Sequence, residues 1–257
     1  MPSRINRRKT LQSIAVATLA CSLPAFSRAA EGLSPSEIND WLDRLYQNAH
    51  RLRSKKISSL HWQEAMDVLY GDVSVPALRQ RLDFKALQNE ILRSIDPERG
   101  ELFRRVILPG SNDAKVDGKE PHRALITKVA HIKKGRSIPP HGHSNMASAF
   151  LCISGEFSVR QYDKLEETED EMVLRQTVDE SAAGVGTWSS ISDYRNNVHW
   201  LTANTDDCYL FTSKLIGVEK GRPLHGRINV DVREAESLGK ATLRAPKISH
   251  SQAAERY

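Results

Sequence analysis

The sequence predicts an all-β core, an antiparallel sandwich or barrel, behind a small helical region. Two textures and one absence predict it. After Gly100 the chain breaks into short alternating runs separated by turn residues at even spacing, the pattern of a many-stranded sandwich or barrel. Before Gly100, apolar residues recur at helical spacing. No internal repeat interrupts this division. With 257 residues, 39% hydrophobic and 27% charged, the chain has the length and composition to bury a sizeable core.

Residues 1–30 read as an export signal. Arg4 to Lys9 form a basic segment, Leu11–Cys21 an apolar one well short of the roughly 20 residues that span a bilayer, and Ser27–Ala29 a small-residue cleavage site. Asn6–Gln12 ("NRRKTLQ") resembles the twin-arginine export motif, with Arg7-Arg8 as the pair and Thr10 where Phe is preferred. The expected route is the twin-arginine translocase, and the expected location is periplasmic or secreted, in a bacterium or archaeon.

Residues 31–100 form the helical region. Ser34–Glu37 is a capping box with Pro35 at the first helical position, followed by Ile38, Trp41, Leu42, Leu45, Ala49 and Leu52 on one face. A second helix is expected over Leu60–Tyr70, ended by Gly71, and a third over Leu78–Ile95 with a break near Asp83. Residues 101–236 form the barrel. Its expected strands are Phe103–Leu108, Leu125–Ile132, Ser148–Ile153, Phe157–Tyr162, Val173–Val178, Thr187–Ile191, Val198–Leu201, Tyr209–Ile216 and Ile228–Val232. Ser154–Glu156 reads as a hairpin turn and Leu165–Glu171 as a solvated acidic loop. Residues 237–257, poor in apolar side chains, read as a C-terminal tail, a surface strap or partly disordered.

The net charge of +5 does not indicate a nucleic-acid partner. Arg4, Arg7, Arg8, Lys9 and Arg28 supply all of it: of 37 basic residues, 32 lie beyond residue 30, matching the 32 acidic ones. No transmembrane helix is expected. Beyond the signal only Cys152 and Cys208 remain, which excludes a disulfide framework and leaves one bridge or two small apolar core residues.

The chemistry concentrates in "IPPHGHSNM", Ile138–Met146. In a strand, His141 and His143 project to one side. Pro139-Pro140 cannot donate to a ladder, so a strand starts here. Two imidazoles at this spacing can share one metal, and the best third ligand is His199 in the apolar run Val198–Leu201, with His131 in reserve. Gly135, five residues, His141-x-His143 and eleven residues to Gly155 match the first cupin motif, G-x5-HxH-x4-E-x6-G. The second motif is poorer: His199 fits, beside Asn196-Asn197, while Asn204 stands one residue farther along than expected. The resemblance implies a cupin barrel, a double-stranded β-helix of jelly-roll type, and a metal held by His141, His143 and His199. The motif's glutamate position holds Ser148, a poor ligand for a divalent metal.

From Arg123 to Arg233 the chain resembles a particular branch, the thiol dioxygenases of the cysteamine dioxygenase and plant cysteine oxidase group. Ile138, Pro139, His141, His143, Met146, Gly155, Val159, Tyr162 and Asp163 match its first motif, and Asn197, Val198, His199, Leu201 and Ala203 its second. The resemblance implies one Fe(II) per chain on three histidines. It implies as substrates O2 and a small thiol (cysteine, cysteamine or related) or a Cys-terminated peptide. The product it implies is a sulfinic acid. A thiolate would lend the negative charge that the missing carboxylate does not. Two family features are absent: an aspartate falls at Thr212, and a Pro-Pro-Tyr segment at Ile216–Arg222. Acid–base and substrate-binding residues are not assigned. Two alternatives stand beside this reading: another metal-dependent cupin enzyme, such as an isomerase or ring-cleaving dioxygenase using Mn, Ni or Zn, and a non-catalytic cupin binding or sensing module.

Overall fold

The computed structural model describes residues 37–95, 101–108 and 125–257. The export signal and the Ser34-Pro35 cap lie outside the described residues.

Four helices come first: α1 (Glu37–Arg53), α2 (Ser59–Gly71), α3 (Val75–Arg81) and α4 (Phe84–Ser94). Ser58 and Ser74 accept the backbone N–H of His61 and Ala77, capping α2 and α3. The break near Asp83 divides the expected third helix in two, with Asp83 itself at φ 45°. Gly71 closes α2 where the Trp188 ring presses on the backbone: a Cβ there would lie 3.2 Å from two ring atoms.

The strands follow. β1 (Glu101–Arg105), β2 (Ile126–Ile132), β4 (Met146–Ser154), β7 (Trp188–Ser192) and β9 (Cys208–Ile216) build a five-stranded sheet in the order β1-β2-β9-β4-β7. A second sheet runs β10-β3-β8-β5-β6-β12-β11. It contains β3 (Ser137–Ser144), β5 (Phe157–Glu167), β6 (Glu171–Ala183), β8 (Val198–Ala203), β10 (His225–Val230), β11 (Glu236–Gly239) and β12 (Thr242–Ile248). A last helix, α5 (His250–Arg256), ends the chain. Every pairing is antiparallel, and consecutive strands alternate between the sheets from β2 to β5 and again from β6 to β10. This is the jelly roll that the sequence predicts, behind a small helical region. No helix among the described residues is long and apolar enough to cross a membrane.

Burial explains why β4 reads as a continuous apolar run: all nine of its residues are buried. Its odd-numbered positions from Ala147 to Ile153 join Tyr209, Phe211 and Leu215 of β9 beneath α1–α4. Phe150 and Cys152 turn the other way, to the barrel interior with Ile138, Leu201 and Leu210. Trp41, Trp62, Leu69 and Tyr70 on the helices are almost wholly buried, each worth about 2 kcal/mol or more of apolar transfer. The Tyr70 hydroxyl meets Ser213 Oγ at 2.8 Å, tying α2 to β9.

Three expectations are corrected. Ser154–Glu156 is not a hairpin turn. It carries the chain from β4 in one sheet to β5 in the other, with Gly155 at φ +73° and no room for a Cβ beside Cys208 Cα at 2.8 Å. The acidic run is not a loop throughout. β5 continues to Glu167 and β6 begins at Glu171, because Lys164 and Lys247 neutralise Glu167 at 2.5 and 2.9 Å. Nor is the C-terminal stretch a strap or disordered. β12 pairs with β6, and also with β10 at Asn229↔Ile248 and Val230↔Lys247, so the sheet curls closed over Tyr162, Met172, Leu174, Val198, Val230 and Ala245. The terminal Tyr257 hydroxyl then donates to the buried Asp231 at 2.7 Å.

Candidate metal centre

β3 and β8 are neighbours, and their register sets His141 opposite His199. The ladder slips by one residue between Ile138 and His141, where Pro139 and Pro140 have no N–H to give. His143 is two residues on and shares the inward face of His141. The three buried rings cluster, with centroids 4.2 Å (His141–His199), 4.8 Å (His141–His143) and 5.5 Å (His143–His199) apart. One ring nitrogen from each lies within 4.8 Å of the others, and among the described residues this group can hold a metal ion. His131, the reserve candidate, is elsewhere. It stacks on Tyr209 at 4.4 Å with Nδ1 on the Cys208 carbonyl.

Each ring is oriented by a backbone carbonyl. Nδ1–H of His141 donates to Pro139 O at 2.8 Å, that of His143 to Gly226 O at 3.1 Å, and that of His199 to Asn197 O at 3.2 Å. A carbonyl can only accept, so the proton sits on Nδ1 and the Nε2 lone pair is bare. No described residue hydrogen-bonds any of the three Nε2 atoms. Three convergent lone pairs with no partner among the described residues suit a metal cation. Burial is the main cause that drives all three basicities down: His199 to about 3, His143 to about 2 and His141 well below its ordinary value. Lys214 and Arg227 depress His143 and His199 further. The triad is therefore neutral at physiological pH.

Gly142 and Asn197 lock this arrangement. Asn197 Oδ1 accepts the His143 N–H at 3.3 Å, and its Nδ2 donates to the carbonyls of His143 and Ser192, both at 3.1 Å. A Cβ on Gly142 would meet Asn197 Oδ1 at 2.6 Å. Asp163 accepts the Asn196 N–H at 2.9 Å while pairing with Arg175, fastening the turn that leads into β8. Tyr162, next to it, is buried in the closed end of the sheet. Cys152 and Cys208 are free, buried thiols in the interior cluster.

His141 and His199 of the triad line a cavity of about 250 Å³ between the sheets. Ile138, Phe150, Ile191, Leu201 and Leu210 form apolar walls. Ser148 lines it where the motif carries glutamate, and its hydroxyl is spent on the Ser213 carbonyl at 3.1 Å. Thr212 lines it too, in place of the family aspartate. Three cationic residues that the sequence reading passed over also line it: Lys128 on β2, Lys214 on β9 and Arg227 on β10. The signal was present. Leu210, Thr212 and Lys214 alternate along one face of a strand buried on both sides, which places a lysine inside the barrel.

No family model matches the chain, and no curated protein matches it. Solved structures similar to it include an oxalate oxidase in complex with the substrate analogue glycolate (17% identity, 50% of this chain and 56% of that one, TM-score 0.32). They also include KdgF from Halomonas sp. (14%, 48% and 84%, TM-score 0.31) and the vicilin of hazelnut, Corylus avellana (13%, 45% and 29%, TM-score 0.32). The matched part spans about half the length of the oxalate oxidase. At this degree of likeness, fold and site rest on the sheets and side chains described above.

Proposed function

We propose that the chain is a metal-dependent oxidoreductase of cupin fold that adds O2 to a thiol to give a sulfinic acid, with Fe(II) held by Nε2 of His141, His143 and His199. One observation carries the reading: three neutral imidazoles converge, two of them lining a small cavity, and the position that would supply a carboxylate is Ser148, its hydroxyl turned to Ser213. An Fe(II) there would supply O2 activation and a Lewis-acid seat for a thiolate. The reaction balances without another reductant. The thiolate sulfur takes both oxygen atoms, and the electrons that reduce O2 come from that sulfur.

The protein's part is positioning and exclusion. The carbonyls of Pro139, Gly226 and Asn197 hold the Nδ1 protons, so no imidazole must lose a proton before its Nε2 can ligate. Apolar walls keep bulk water from the sulfur. Export by the twin-arginine route fits the proposal, since that route carries folded protein. A precursor still processed when the translocase is blocked would refute this route.

The test is oxygen uptake by iron-loaded protein given cysteine, cysteamine, 3-mercaptopropionate and a Cys-terminated peptide, with the product read by mass for the gain of two oxygen atoms. Thiol-dependent uptake that is lost in His199→Ala supports the proposal. Absence of uptake with every thiol, at full iron occupancy, refutes it and leaves a metal-binding cupin of another reaction class.

A further inference from the structure

The geometry points to a carboxylate-bearing ligand in the cavity, with its carboxylate held by Lys214 and Arg227 while its other end faces the histidine triad. This rests on the metal reading of the triad and narrows the thiol class to thiol acids. Lys128, Lys214 and Arg227 line the cavity, and no acidic side chain among the described residues does. Lys214 makes no hydrogen bond or ion pair with any described residue, and the charged groups acting on it, Arg227 and Lys128, are both positive. Arg227 and Lys128 both lie against the Phe103 ring, at 5.5 and 6.0 Å from its centroid, which keeps them beside the cavity.

The triad adds nothing negative. Three neutral imidazoles leave the whole charge of a divalent ion in place, whereas a glutamate at position 148 would have removed part of it. Register makes the point sharper: Ser148 stands directly opposite Lys214 in the β4–β9 ladder. The neighbour that would have paired with this ammonium is a serine bound to a carbonyl. The half-buried Lys214 ammonium, with no acidic partner among the described residues, is costly beside a divalent site unless a ligand brings the anion.

A thiol acid brings two, a thiolate at one end and a carboxylate at the other. The histidines and Arg227 come from one sheet and both lysines from the other, and facing sheets stand about 10 Å apart. A chain of a few atoms bridges that gap, in keeping with a cavity of about 250 Å³. Cysteamine, with an ammonium in place of the carboxylate, would put a further cation beside Lys214.

The experiment is calorimetric titration of the zinc-loaded full chain with 3-mercaptopropionate, cysteamine and propionate, repeated on Lys214→Met and Arg227→Met with metal content measured in each. The expected result is 3-mercaptopropionate binding at least tenfold tighter than cysteamine. Each substitution should weaken the thiol acid by about tenfold to a hundredfold, the range for a hydrogen bond to a charged group, and leave cysteamine no weaker. Propionate should bind weakly and lose that binding in Lys214→Met. Cysteamine binding as tightly as the thiol acid overturns the proposal, as does an unchanged ratio in metal-replete variants. Oxygen uptake separates the two readings. Carboxylate selectivity without thiol-dependent uptake by the iron-loaded protein upholds the ligand assignment and refutes the dioxygenase. Equal uptake with cysteamine and 3-mercaptopropionate does the reverse.

Discussion

Lys214→Met should make the metal-free protein more stable at neutral pH, although it removes a charged residue from the candidate site. Burial is the first cause and the positive Arg227 and Lys128 the next in pulling the Lys214 ammonium down from 10.5 to about 8. At about 1.4 kcal/mol for each tenfold change, that displacement corresponds to roughly 3 kcal/mol of folding free energy. Lys214 is partly open to the cavity, so an expected gain of about 2 kcal/mol is more realistic. For a chain of this size it would raise Tm by about 4–8 °C. Methionine keeps the length of the aliphatic stem, so the gain measures charge rather than a lost side chain.

The sign follows from proton linkage. Below about pH 8 the folded chain carries the buried ammonium and its full penalty. Between about 8 and 10.5 the folded amine sheds its proton before the unfolded one, so the parent protein gains stability as pH rises. The advantage of the substitution is therefore full at pH 7 and fades by about pH 10.5. The assay is chemical denaturation of both proteins at several pH values, in metal-free buffer without carboxylate or phosphate, because a bound anion would relieve the same repulsion. A variant no more stable than the parent at pH 7, or a gain that does not shrink on raising the pH, would refute the reasoning.

Other substitutions test the remaining parts of the site. Ser148→Glu should place a carboxylate opposite Lys214 and beside the triad, raising zinc affinity by about tenfold in a chelator competition while weakening 3-mercaptopropionate. Gly142→Ala should cost about 2 kcal/mol or more in denaturant titration and loosen metal binding, because its Cβ would collide with Asn197 Oδ1 at 2.6 Å. Tyr257→Phe should cost about 1–2 kcal/mol by leaving the buried Asp231 short of a donor, with metal content unchanged. Metal affinity should change little between pH 7 and 5, since the triad stays neutral with His143 near 2 and His199 near 3. Three ordinary imidazoles would lose roughly four orders of magnitude over that range, and such a loss in a competition titration would refute the neutral triad.

Local signals made much of this molecule legible, and long-range pairing hid the rest. The HxH spacing needed only the alternation of a strand, and Asp83 needed only its break in an apolar period. His199 needed the motif around it, because register with His141 crosses 58 residues of chain. β11, β12 and α5 escaped because their residues are mostly exposed or half-exposed. What orders them is pairing with β6 and β10 and the Tyr257–Asp231 bond, none of which leaves an apolar signature. The turn at Gly155 looked like a hairpin because composition reports a reversal of direction and not which sheet the chain enters next.

Lys128, Lys214 and Arg227 show a different limit. A charged residue in a strand reads as an outward position, and that inference fails where both faces are covered. On β9 one face lies under the helices and the other lines the cavity, so Lys214 has no outward side to occupy. Seen alone, Ser148 is an absence, a ligand position without a ligand. Opposite Lys214 it is half of a pattern: the same pair of ladder positions lacks the negative group and carries a positive one. Loss of the carboxylate alone would fit a decayed site as well as a working one. An unpaired ammonium held half-buried against its own solvation is costly to keep, and an anionic ligand is the physical account that explains both residues together.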